Sequence, residues 1–127
     1  MKFRVILTAI SVGMLITGCS LIPSRWDDNE AAGVTDLYNA IVTMDCTLNP
    51  ILLRHVVEDI DKKHSWMLNY TQLKGTKDIE SLLQQMGETI DGLVEKETIS
   101  PTYCRLKQKV LTEQSYVVAD TIMGRFK

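Results

Sequence analysis

The sequence predicts an all-α fold, an antiparallel up-down-up-down four-helix bundle carried on an N-terminal tether. Three observations predict it. Four segments between residues 28 and 124 repeat apolar residues at three-four spacing, the period of a helix with one buried face. Asn49-Pro50 and Ser100-Pro101 are cap and first-turn pairs, because proline lacks the N–H that a first turn would leave orphaned. No stretch shows the sustained period-two alternation of a half-buried strand. Helices joined by short connections pack as antiparallel neighbours, which gives the topology.

The first helix is expected over about 28 to 45. Asp27 lies three residues before Glu30, as in a capping box, and Val34, Leu37, Ile41 and Met44 share one face. The second runs from about Pro50 to Leu73, with a stripe of Leu53, Val56, Val57, Ile60, His64 and Met67, and Gly75 supplies the stop. Thr76 and Asp78 open the third, in which Ile79, Leu82, Leu83, Met86, Ile90, Leu93 and Val94 keep a clean spacing. The fourth begins at Ser100-Pro101, is read through Leu106, Val110, Val117, Val118 and Ile122, and ends near Gly124.

Ahead of the bundle, Lys2 and Arg4 precede the apolar run Val5 to Ile16, and small residues follow at Gly18 and Ser20: a signal-peptide pattern. The run is too short to cross a hydrocarbon layer, which takes roughly 20 helical residues. Ile16-Thr17-Gly18-Cys19 resembles the lipobox of bacterial lipoproteins. The resemblance implies a diacylglycerol thioether on Cys19, cleavage before it and acylation, for instance by palmitate, of the new amino terminus; Ser20 after the cysteine implies sorting to the outer membrane. The chain then divides into a signal peptide at 1–18, a lipidated tether at 19–27 and the bundle at 28–127. Residues 20 to 26 span at most roughly 25 Å at about 3.5 Å each, which keeps the bundle close to the membrane.

Loss of the leader removes Lys2 and Arg4 and leaves 12 cations against 16 acids, a charge of about minus 4. A mildly acidic chain without a basic stripe does not suit nucleic acid, whose binding rests on neutralising phosphates. With Cys19 taken by lipid, Cys46 and Cys104 remain for a disulfide in an oxidising periplasm. Helix order agrees, since it carries the end of the first helix and the start of the fourth to the same end of the bundle, away from the anchor.

Reaction chemistry is not legible. His55 and His64 are nine residues apart on one helix, on opposite sides, and cannot share a metal. His64 falls on the apolar stripe and reads as a hydrogen-bonded core histidine. Glu58, Asp59 and Asp61 beside Lys62 and Lys63 read as a solvated face. No G-x-S-x-G, phosphate loop or H-E-x-x-H is present, and neither a cofactor nor a metal is expected. Trp66, Tyr70 and Leu73, at i, i+4 and i+7, form a second apolar face on the second helix. With Trp26 they are the candidate interaction or membrane-facing surface. Helix order brings Trp26, Trp66, Tyr70 and Phe126 towards the anchor, together with Arg25, Lys74, Lys77, Arg125 and Lys127.

SRWDDNE after the lipobox, GTKD at 75–78 and the terminal GRF resemble small lipoproteins carried by tailed phages of Gram-negative hosts. That resemblance implies an outer-membrane spanin-type lysis subunit, which joins an inner-membrane partner, or a superinfection-exclusion lipoprotein that blocks a surface receptor. The expected function is a non-catalytic interaction protein, lipid-anchored at the outer membrane and facing a protein partner in the periplasm. A host envelope assembly factor, or an inhibitor of a periplasmic enzyme, is the competing class.

Overall fold

The structure is a computed structural model that describes residues 27–126. These residues form four helices, α1 (Asp28–Val42), α2 (Pro50–Lys74), α3 (Lys77–Val94) and α4 (Pro101–Met123), and a short 3-10 turn at Gly124–Phe126. Each helix packs on its neighbour in the chain, and α4 closes the ring on α1. This is the four-helix bundle that the apolar spacing predicts. The signal peptide, Cys19 and Trp26 lie outside the described residues.

Local chemistry sets most of the boundaries. The Asp27 carboxylate caps α1, accepting the N–H groups of Asn29 at 2.8 Å and Glu30 at 3.3 Å. Asn49 Oδ1 accepts from Leu52 N at 3.0 Å, and Ser100 Oγ from Tyr103 N at 3.2 Å, each with proline in the first turn. Gly75 ends α2 at φ 78°, in the left-handed region that glycine enters without a Cβ clash, while its own N–H and that of Thr76 cap Thr71 O.

Two boundaries differ from expectation. Helix α1 stops at Val42 rather than near residue 45, because the chain must turn there to bring Cys46 onto α4. Gly124 stays right-handed at φ −65°, so α4 tightens into the 3-10 turn instead of ending on a left-handed glycine.

The core follows the stripes of the first three helices. Val34, Leu37, Ile41 and Met44 meet Leu53, Val57, Ile60 and Met67, with Ile79, Leu83, Met86, Ile90 and Leu93 opposite; Val56, Leu82 and Val94 are partly buried beside them. The residues expected on one face of α4 mix two rows: Val118 and Ile122 are buried as expected, but the other three read with them are not. The buried residues of the helix are Cys104, Leu111, Ser115, Val118 and Ile122, whereas Leu106, Val110 and Val117 are exposed. The disulfide explains the rotation: it ties Cys104, fully buried, to the α1–α2 connection, and inward positions then fall at i+7, i+11, i+14 and i+18 from it.

Candidate functional site

At one end of the bundle the Cys46–Cys104 disulfide ties the α1–α2 connection to the first turn of α4, with Cα atoms 5.6 Å apart. One helical turn further along α4, Gln108 Nε2 donates to the carbonyls of Ile41 at 3.0 Å, Val42 at 3.3 Å and Met44 at 2.8 Å. The Ile41 carbonyl already accepts from Met44 N at 3.2 Å; the amide adds to it and serves the carbonyls of Val42, the last residue of α1, and of Met44 just beyond it. Arg54 does the same for α3, donating to the carbonyls of Val94, Lys96 and Glu97. Two side chains from neighbouring helices thus finish two helix ends that carry no glycine. Neither has a sequence signal, because a capping partner 40 or more residues away leaves no local pattern.

The opposite end is closed by charge. Glu30 is 1% exposed, and its Oε2 lies 2.8 Å from Lys74 Nζ and 3.5 Å from Arg125 Nη1, while Thr76 donates to Oε1 at 3.3 Å. Arg125 Nη2 also reaches both oxygens of Asp78, at 2.7 and 2.8 Å. The Tyr70 hydroxyl donates to Asp27 Oδ2 at 2.7 Å, and Lys74 lies 3.3 Å from the same oxygen. One clasp therefore joins the first three helices to the 3-10 turn that continues α4. The Tyr70 hydrogen bond holds the Asp27 carboxyl below its ordinary value against a smaller opposing effect of burial, helped by the Asn29 and Glu30 N–H groups and by Lys74. Burial works to raise Asp78, but Arg125 and the Ile79 N–H outweigh it and the carboxyl is lowered. For Lys74, burial pulls down and the bonds to Glu30 and Asp27 win, so its ammonium is held above the ordinary lysine value.

The capping box is realised by half. Asp27 caps as expected, whereas the Glu30 side chain turns inward to the clasp, and Thr76 caps α3 without a side-chain bond because its hydroxyl is committed to Glu30. Burial of Glu30 was readable in hindsight. It sits four, seven and eleven residues before Val34, Leu37 and Ile41, on the same stripe.

Trp66 and Tyr70 stack, ring centroids 5.2 Å apart and planes within 14°. Trp66 is half exposed and lies over Gly33 of α1, where a Cβ would come within 2.6 Å of its ring. A groove of about 470 Å³ opens beside it, lined by Gly33, Asp36, Asp59, Lys62, Lys63 and Trp66. Leu73 is 89% exposed and stands apart, so the three do not make one buried face. Lys63 bridges Asp36 at 2.8 Å and Asp59 at 3.6 Å, as a solvated face should. His64 is buried, its Nε2 2.7 Å from the Leu83 carbonyl. Of the cations expected to turn towards headgroups, Lys74 and Arg125 belong to the clasp and Lys77 pairs with Glu80 at 2.7 Å.

Among the described residues no group of three His, Cys, Asp or Glu side chains is placed to hold a metal ion, and no helix is long and apolar enough to cross a membrane. No protein-family model, no curated protein and no solved structure matches this chain.

Proposed function

We propose that the protein is an interaction module held at the outer membrane by lipid on Cys19, working in the periplasm by contact rather than by catalysis. The disulfide is the observation that carries this reading beyond the leader. A buried Cys46–Cys104 bond suits an oxidising compartment, which is where a lipobox would deliver the chain. The test is radiolabelled palmitate: label should enter the wild-type chain and not Cys19→Ser, which should also lose processing and membrane association. Label in both would sink the anchor.

Within that class the phage-carried lipoprotein reading has a specific support. The three blocks on which the resemblance rests converge in space: Asp27 and Glu30 from SRWDDNE, Thr76 and Asp78 from GTKD, and Arg125 from GRF make up the clasp together with Tyr70 and Lys74. Blocks scattered along the chain thus form one structural unit. A spanin-type lysis subunit is the first form of this proposal, and a superinfection-exclusion lipoprotein the second. Pull-down of the acylated protein from host envelopes separates them: an inner-membrane protein with a periplasmic coiled coil supports the lysis role, and a surface receptor supports exclusion.

A further inference from the structure

We propose that the outward face of α4 pairs antiparallel with the same face of a second copy of this chain. The inference stands on α4 alone and does not rest on the lipid anchor. Leu106 is 60% exposed and Val117 47%, with Val110 exposed between them, at i, i+11 and i+4 on one line. At 100° per residue that line lies on the far side of the helix from Cys104, Leu111 and Val118. Nothing in the bundle covers it.

The charges on α4 say what fits there. Its three cations, Arg105, Lys107 and Lys109, all fall in the first half, and its two acids, Glu113 and Asp120, in the second. This is the reverse of what a helix dipole favours, so the order is not explained by the helix itself. Inside the chain, Arg105 acts on the Asp45 carboxylate and Lys107 lies over the Tyr103 ring at 5.5 Å. Lys109, Glu113 and Asp120 are exposed and enter no ion pair among the described residues.

A second copy laid antiparallel sets the cationic half of each helix against the acidic half of the other. Placing Leu106 on Val117 of the second copy, twice by symmetry, brings Lys109 within reach of Glu113 of the second copy. Glu113 is the one charged side chain between Val110 and Val117 on the stripe, and this register gives it a cation. Parallel pairing would set the cationic half of each helix beside the cationic half of the other and acidic beside acidic, and like charges brought together oppose association. Three apolar side chains per copy make a small contact, so pairing is weak and gains from confinement of the copies in one compartment. If both copies are anchored in one leaflet, the pair's symmetry axis stands along the membrane normal and the bundles lie along the surface.

The experiment uses the full-length chain in the bacterial envelope. Copies carrying Leu106→Cys are co-expressed with differently tagged copies carrying Val117→Cys and then oxidised; Cys46 and Cys104 are buried in their own bond, and a chain with no added cysteine controls for linkage through Cys19. A mixed disulfide-linked dimer should form when both variants are present. Either variant alone should link at least several-fold less, since like positions sit about 16 Å apart along the helices in this register. Lys109→Glu or Glu113→Lys should each cut the mixed yield several-fold, and the double exchange should restore it. Equal linking by Leu106→Cys alone, no linked species in any combination, or a yield indifferent to the charge exchanges would each overturn the proposal.

Discussion

The two ends of the bundle are closed by opposite means. One end is locked by a disulfide between buried cysteines, with Gln108 bonded to the carbonyls at and just beyond the end of α1. The other is held by a clasp of carboxylates and cations around Glu30, and it gathers both the residue where the described chain enters, Asp27, and Arg125 near where it leaves. A disulfide acts largely by restricting the unfolded chain and is indifferent to ordinary changes of pH and salt. Ion pairs act in the folded state and depend on both. The covalent end thus depends on the redox state of the compartment, and the electrostatic end on the solution around it.

The largest expected effect comes from removing the lock. The cysteines are 58 residues apart, a separation for which the chain-entropy estimate is about 4 kcal/mol. In a domain of this size each kcal/mol moves Tm by about 4–8 °C. The Cys46→Ser, Cys104→Ser double variant should melt far below wild type in a thermal scan. An unchanged Tm, or two free thiols titrated in the folded oxidised protein, would refute the pairing.

Breaking the clasp comes second. Glu30→Gln keeps the shape but leaves Lys74 and Arg125 facing an uncharged amide at a buried position. Removing one partner of a buried pair costs about 3–5 kcal/mol, and because both cations keep some solvent contact the lower figure applies. Urea unfolding should show a lower midpoint, with hydrogen exchange rising first in the opening turns of α1 and the last turn of α4. If exchange rose evenly along the chain, the clasp would not be a local closure.

Most of the fold was legible because it rests on periodicity and on caps within three residues of their helices. The stripes of α1, α2 and α3 and the starts at Asn49 and Ser100 all belong to that class. In α4 only Val118 and Ile122 of the expected residues are buried, because Leu106, Val110 and Val117 make as regular a row as the buried residues do. Only a tertiary bond, the disulfide at Cys104, decides which row faces inward. Of the candidate site residues, Cys46 and Cys104 were found by counting. Trp66 and Tyr70 do share a surface, and Leu73 stands clear of it. Glu30 was misassigned because a local rule, the capping box, competed with its place on the stripe. Gln108, Arg54 and the Arg125–Asp78 pair act between residues far apart in sequence, which no local pattern records.

Acid and alkali should act on the two ends unequally. Asp27 and Asp78 are held below the ordinary 3.8 in the folded state, so their contribution is fully present above that value and is lost as pH falls through the depressed folded values. Lys74 is held above 10.5, so its contribution is complete below that and lost as pH rises through the folded value. The disulfide does not titrate. Asp45 beside it is also lowered, first by the Thr47 hydroxyl, but it is a solvated loop carboxylate. Stability should therefore be flat between about pH 5 and 9, with exchange near Asp27 and Arg125 rising before that near Cys46 at either extreme. The same exchange profile at pH 3 and pH 7 would remove the distinction between the ends.

The smallest expected effect isolates what Gln108 adds beside the disulfide. Gln108→Ala removes one amide group that serves three carbonyls at the end of α1. A hydrogen bond is worth about 1 kcal/mol net. Water can replace the amide at the exposed Val42 carbonyl but less readily at the others, so the loss should be about 1–2 kcal/mol. The more telling quantity is its dependence on the disulfide. With the Cys46–Cys104 bond intact, the connection after α1 stays near α4 whether or not Gln108 holds it. Without the bond, the Gln108 amide is what hydrogen-bonds α4 to the end of α1. The cost of Gln108→Ala should then be larger in the Cys46→Ser, Cys104→Ser background than in wild type, by more than the roughly 0.5 kcal/mol within which independent sites add. A double-mutant cycle measured by urea unfolding reads that difference directly. Additivity within that margin would mean that the disulfide and Gln108 close this end independently.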